Sequence, residues 1–316
     1  MHSFGRSASH LVSIGILSAG LCAAGDAHAW PKATFAAAPA RTNFTRKMRA
    51  FVKGYDRAAT IRALPEEAKQ YRYVLVKGLF GNSYPFYMAN NANALRRAGL
   101  STEFAPIHTA GAVADNVAIV KDMIRNTKVP IVFATHSQGS VVTSAAISEL
   151  FAEDPDLVRR NVRGLLSSEG AYGGSPVADL LASNKLGRAL ATGMTGILGG
   201  KPEAIFDLQT AVRHEATAKY PMPVHAVPTI SVVGYKTGYA SVVGPGIWAM
   251  KRWLGLKSDG LVAHRDAVIP GSDVARIRMD HAQGAWGSYS ERLTMGSLHH
   301  LFSMPYAAPD AVVTRE

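Results

Sequence analysis

Cysteine is nearly absent from this sequence. Cys22 is the single one in 316 residues, and it lies in a segment expected to be removed, so the mature chain is left without a disulfide, a thiol nucleophile or a thiolate metal site. Long apolar runs are scarce as well. Leu11 to Ala24 is one, yet it is shorter than the ~20 residues needed to span a bilayer, and no later stretch is both apolar and long enough. There is no internal repeat and no low-complexity linker. Charged residues make up only 18% against 47% hydrophobic, which excludes a mainly disordered chain and permits a sizeable core. The length suits one large domain or two modest ones, and α/β folds often run this long as one.

What stands at the start is a leader. Arg6 precedes the apolar run, and Ala27-His28-Ala29 places small residues at the −3 and −1 positions of a cleavage site. Residues 1–29 therefore read as a secretory signal peptide cleaved after Ala29, giving a periplasmic or secreted protein. A membrane anchor is the alternative, opposed by the short run. A lipoprotein reading through Cys22 is opposed by Leu21, where a small residue is wanted.

Acidic residues number 23 against 34 basic, a net charge of +11. Much of the surplus falls in the expected N-terminal extension, residues 30–70, at Arg41, Arg46, Lys47, Arg49, Lys53, Arg57 and Arg62, with Phe44, Met48, Phe51, Val52 and Ile61 between them. Such a basic amphipathic helix suits either an anionic surface or packing across a domain edge with its charges in solvent; the second reading is favoured. No nucleic-acid motif accompanies the charge, so no nucleic-acid partner is expected.

From residue 71 to 316 strand-like and helix-like segments alternate. Tyr71–Lys77, Ser101–Ile107, Val129–Thr135 and Val162–Ser168 read as strands; Tyr84–Ala98, Ala112–Asn126, Gln138–Phe151 and Ser288–Phe302 read as helices. The run VPIVFAT is almost continuously apolar, as in a central strand buried on both faces. This alternation predicts an α/β fold, a mostly parallel sheet flanked by helices.

Between that strand and its helix stands Thr135-His136-Ser137-Gln138-Gly139. A serine on a sharp strand-to-helix turn lifts its hydroxyl above the sheet, and the pattern is G-x-S-x-G with threonine in the first position. Ser137 is the candidate nucleophile, and the Gln138 N–H is a candidate oxyanion donor at a helix N-terminus. The plain alternative is a helix-capping serine. His136, adjacent to the nucleophile, is read as a packing residue.

The string His136-Ser137-Gln138-Gly139 resembles the elbow of Burkholderia- and Pseudomonas-type lipases, members of the α/β-hydrolase superfamily. Lys77-Gly78-Leu79-Phe80-Gly81 resembles their oxyanion loop, with Lys77 in place of the usual His. Lys257-Ser258-Asp259-Gly260-Leu261-Val262 and Met279-Asp280-His281-Ala282 are similar to the segments carrying their catalytic aspartate and histidine. The resemblance covers Tyr71 to Trp286 in patches. It implies an α/β-hydrolase fold, a triad of Ser137, Asp259 and His281, and an oxyanion hole from the N–H groups of Leu79 and Gln138. Chain order, nucleophile then acid then histidine, agrees. Asp266, Asp273, Asp280, His264, His299 and His300 are the rival carboxylates and imidazoles.

Residues Ser168 to Leu181 loosely resemble the segment before the lid of those lipases, which makes residues 182–220 a helical insertion over the site, either a mobile lid or a fixed cap. The family's calcium-binding aspartate, two residues after the histidine, is here Gln283, so no metal is expected, and no cofactor. The implied activity is hydrolysis of carboxylic esters, acyl-lipid esters foremost, with transient contact with a lipid surface. A polyester or thioester hydrolase is an alternative, and so is an exported binding protein that has lost turnover.

Overall fold

The structure, a computed structural model, describes residues 40–236, 241 and 243–304; the leader read at residues 1–29 lies outside them. Seven strands form one sheet: β1 (Thr42–Asn43), β2 (Arg72–Val76), β3 (Ser101–Phe104), β4 (Ile131–His136), β5 (Val162–Ser168), β6 (Thr229–Gly234) and β7 (Asp273–Ile277). Their spatial order is β1-β7-β6-β5-β4-β2-β3, and every neighbouring pair is parallel. Every residue of β4 and of β6 is buried, which is why IVFATH and TISVVG show no polar alternation.

Each face of the sheet carries its own core. Val74 and Val76 of β2 point to a face covered by α4 (Val113–Asn126) and α5 (Gln138–Glu153), together with Phe133, Val141 and Ile147. Tyr73 and Leu75, one residue out of step, point to the other face, covered by α1 (Thr45–Lys53), α3 (Ala89–Arg97) and α12 (Gly287–Ser303). The period-2 pleat thus assigns alternate residues of one strand to two helical layers.

The basic segment is built into the sheet edge. Arg41 makes a two-pronged pair with Asp273 at 2.9 Å on each arm, β1 pairs with β7, and Phe44 stacks on the His300 ring. Met48 and Val52 of α1 are buried while Arg46, Lys47, Arg49 and Lys53 stay exposed. Arg57, at the start of α2 (Arg57–Arg62), pairs with the buried Glu291 of α12.

Two elements fall short of the sequence pattern by three residues or more. The helix expected from Tyr84 starts at Ala89, because Phe86 and Met88 both adopt positive φ, which no α-helix admits. The strand expected to Ile107 ends at Phe104; Pro106 has no N–H for a ladder.

Helix α6 (Pro155–Asn161) precedes β5, and between β5 and β6 lie α7 (Pro176–Ala182), α8 (Lys185–Ile197), α9 (Glu203–Phe206) and α10 (Thr210–Lys219), so the helical cap begins a few residues before the expected 182–220. After β6 comes α11 (Gly244–Leu254). Among the described residues no helix is long and apolar enough to cross a membrane.

Candidate active site

Ser137 joins β4 to α5 at φ 56° and ψ −126°, a left-handed conformation that a non-glycine residue adopts only under constraint. Its hydroxyl makes no capping bond to α5, so the capping reading does not describe it. Small neighbours permit the turn. A Cβ on Gly139 would overlap the carbonyl oxygen of Val76, and one on Gly78 would overlap Ser137 itself. Thr135, which stands where the motif has glycine, is accommodated by hydrogen bonding. Its hydroxyl lies 2.7 Å from Ser140 Oγ and 3.2 Å from the Leu166 carbonyl.

The three residues singled out downstream and at the turn meet. Ser137 Oγ lies 2.9 Å from His281 Nε2, and His281 Nδ1 lies 2.8 Å from Asp259 Oδ2. The other oxygen of Asp259 accepts the N–H groups of Leu261 and Val262 at 2.9 and 2.8 Å, and the His281 N–H donates to the Asp259 carbonyl at 3.0 Å. This is a connected line of hydroxyl, imidazole and carboxylate, all three residues buried. A line of this kind can remove a proton from the hydroxyl while the carboxylate fixes the ring's tautomer.

The rivals make other contacts, Asp266 with Arg265 at 3.5 Å. Asp273 holds Arg41 and His300, and His299 bonds the Thr60 carbonyl. Asp280 caps the turn that begins at His281 and pairs with Lys236 at 2.6 Å. Gln283 completes that capping box by accepting the Asp280 N–H. His264 sits edge-on to Tyr235, its pKa pushed by burial to about 4.

Gln138 is the first residue of α5, so its N–H has no intrahelical acceptor. Leu79 follows β2 and lines the same pocket as Ser137. The Lys77 ammonium turns away from that loop, lying over the Phe104 ring at 4.8 Å, and partial burial lowers its pKa. The Gln138 side chain reaches upward and donates to the Ala204 carbonyl in α9 at 2.9 Å. That bond ties the cap to the turn bearing Ser137.

Above the serine is a mostly apolar cavity of about 120 Å³. Its walls come from the cap (Leu181, Ile205, Leu208), from the segment around Val262, and from Tyr84 and Trp286. Leu186 and Ile197 of α8, and Phe86 beside the pocket loop, are large apolar side chains exposed to solvent.

Behind the serine, histidine and aspartate lie further buried polar side chains. His136 is buried behind His281, with Nδ1 2.6 Å from the Tyr87 hydroxyl and Nε2 2.9 Å from the His281 carbonyl oxygen. A carbonyl only accepts, so Nε2 carries the proton and Nδ1 accepts from Tyr87. Burial, and then the neighbouring His281, keep the His136 pKa well below its ordinary value, consistent with this neutral ring. The Tyr87 hydroxyl also faces the backbone amide of Gly78, so the ring system links the Leu79 loop to the His281 loop. Glu169, at φ 49° just past β5, lies 3.2 Å from His136 Nε2. Burial, then the charges of Asp259 and Asp280, push its pKa well above its ordinary value. The sequence signal was a lone acid among small residues in Ser167-Ser168-Glu169-Gly170. His136, Glu169 and His281 lie close enough to share a metal ion, but every ring nitrogen of the two histidines already has a protein partner.

The parallel order of strands, the positive-φ serine after the central β4, and a histidine after the last strand make this an α/β-hydrolase fold. No family model matches the sequence, and no curated protein does. Among solved structures, a metagenomic carboxyl esterase is similar at a TM-score of 0.63 and 21% identity, over 87% of this chain and 97% of that one. The mature form of a lipase from Bacillus licheniformis is similar at 0.54 and 21% identity, over 75% of this chain and 91% of that one.

Proposed function

We propose that the chain is an exported serine hydrolase that cleaves carboxylic esters, acyl-lipid esters foremost. The observation that carries the reading is the line Ser137–His281–Asp259, at 2.9 and 2.8 Å, beneath an apolar pocket. His281 Nε2 takes the proton of Ser137 as Oγ attacks the ester carbonyl carbon. The N–H groups of Leu79 and Gln138 hold the oxyanion that forms. His281 then passes the proton to the leaving alcohol, the C–O bond breaks, and an acyl-serine remains. Water, activated by the same imidazole, releases the acid and restores the serine. Asp259 holds the ring through Nδ1 and stabilises the imidazolium.

Support for a lipid-like ester comes from the apolar pocket, from the exposed Leu186 and Ile197 of α8, and from the strings shared with Burkholderia- and Pseudomonas-type lipases. A carboxyl esterase and a lipase among similar folds agree with the reaction class. Export rests on the leader at residues 1–29, with cleavage after Ala29. The test is p-nitrophenyl esters of graded chain length together with fluorophosphonate labelling. Labelling at Ser137 and a preference for long acyl chains are expected. No labelling of the folded protein supports instead a binding protein without turnover, and a preference for acetate removes the lipid assignment.

A further inference from the structure

A second cavity, of about 220 Å³, lies between α4, α5 and cap helix α10 and shares no lining residue with the pocket over Ser137. Arg213 of α10 lines it and is only 5% exposed. Its Nε donates to no acceptor among the described residues, and no carboxylate among them closes on the guanidinium as an ion pair. Two acids line the same cavity, each engaged elsewhere. Asp207 accepts the Val113 N–H at 2.9 Å, and Glu149 holds Lys121 at 3.1 Å. Asp207, Glu149 and the Tyr172 hydroxyl act on the guanidinium electrostatically, yet its buried Nε–H keeps no acceptor among the described residues, which costs free energy, and an arginine fork is shaped for a planar two-oxygen anion.

The rest of the lining says which anion. The Tyr172 hydroxyl accepts the Met222 N–H at 3.3 Å and keeps its own proton to give. Val113, Val117, Val212 and Ala216 supply apolar wall. Asp207 and Glu149 nearby oppose a doubly charged ligand more than a singly charged one. We propose that this cavity binds an alkyl carboxylate, its oxygens on the Arg213 guanidinium and the Tyr172 hydroxyl, its chain along Val113, Val117 and Val212. The site is independent of the ester reaction proposed above.

The test is hexanoate binding by calorimetry to the whole protein, beside acetate, hexanol and inorganic phosphate, with hexanoate located by diffraction. Hexanoate is expected to bind more tightly than the other three. Arg213→Met should weaken it about ten- to hundred-fold, the range of a charged hydrogen bond, and Arg213→Lys less. Because the Arg213 Nε–H has no acceptor among the described residues, Arg213→Met should melt no lower than the parent in the absence of ligand, which keeps loss of binding separate from loss of fold. Hexanoate affinity unchanged in Arg213→Met, or density for hexanoate only over Ser137, would overturn the proposal. Phosphate binding more tightly than hexanoate would overturn the alkyl carboxylate assignment. Ester hydrolysis assayed on the same samples reports separately on the Ser137 reading.

Discussion

His136 Nε2 holds the carbonyl oxygen of His281 at 2.9 Å. The residue beside the serine thus braces the backbone of the residue proposed to take the serine's proton, and it is itself aimed by Tyr87. Tyr87→Phe removes the donor to Nδ1 without removing the ring. It should lower kcat about five-fold with KM little changed, since an interaction of roughly 1 kcal/mol is lost from positioning rather than from binding. An unchanged kcat would show that the bond does not orient His281.

Ser137→Ala and His281→Ala should each lower kcat by three orders of magnitude or more, and Asp259→Asn by about 10⁴-fold, because the amide favours the wrong tautomer. Steady-state kinetics on a soluble ester checks this, with circular dichroism showing that the fold persists. Near-parent activity in any one of the three would remove that residue from the proposed line.

Gly139→Ala should cost about 2 kcal/mol or more in urea unfolding, along with most of the activity. The added methyl meets backbone oxygen of β2 instead of a side chain that can swing aside. Gly193→Ala is the control, since nothing lies within 4 Å of a Cβ there; it sits inside α8 and should be neutral or slightly stabilising.

Asp266 is buried, and burial raises its pKa to about 6, with Arg265 pulling the other way. A carboxyl raised above its unfolded value of about 3.9 favours the native state most below that value, and the advantage is lost as pH rises through 6. Asp266→Asn should therefore raise the Tm at pH 8 by several degrees while changing it little at pH 4. Equal shifts at the two pH values would show that the carboxyl does not titrate in this window.

Much of the frame could be read from local pattern. The continuous apolar run at β4 and the turn Ser137-Gln138-Gly139 depend on neighbours in sequence, whereas Asp259 and His281 were singled out by the resemblance of their local strings to those of lipases. Tyr87 and Glu169 were not legible, since each acquires its meaning from contacts across the fold. Tyr87 meets His136 49 positions away, and only after Phe86 and Met88 break the helix that the surrounding residues suggest. Arg213 was hidden for the opposite reason. Its distinguishing property is a buried Nε–H without an acceptor among the described residues, and no spacing rule reports that.

The pairing of β1 with β7 bears on the order in which the molecule can be made. Arg41 and Asp273 are 232 positions apart, so an emerging chain carries β1 unpaired until β7 has been made. Completing the sheet requires the last strand to reach the first, a contact of very high sequence separation and hence a late, slow step. A chain stopped short of Asp273 would hold the serine turn and the pocket loop, yet lack both the edge that receives β1 and the histidine that follows it.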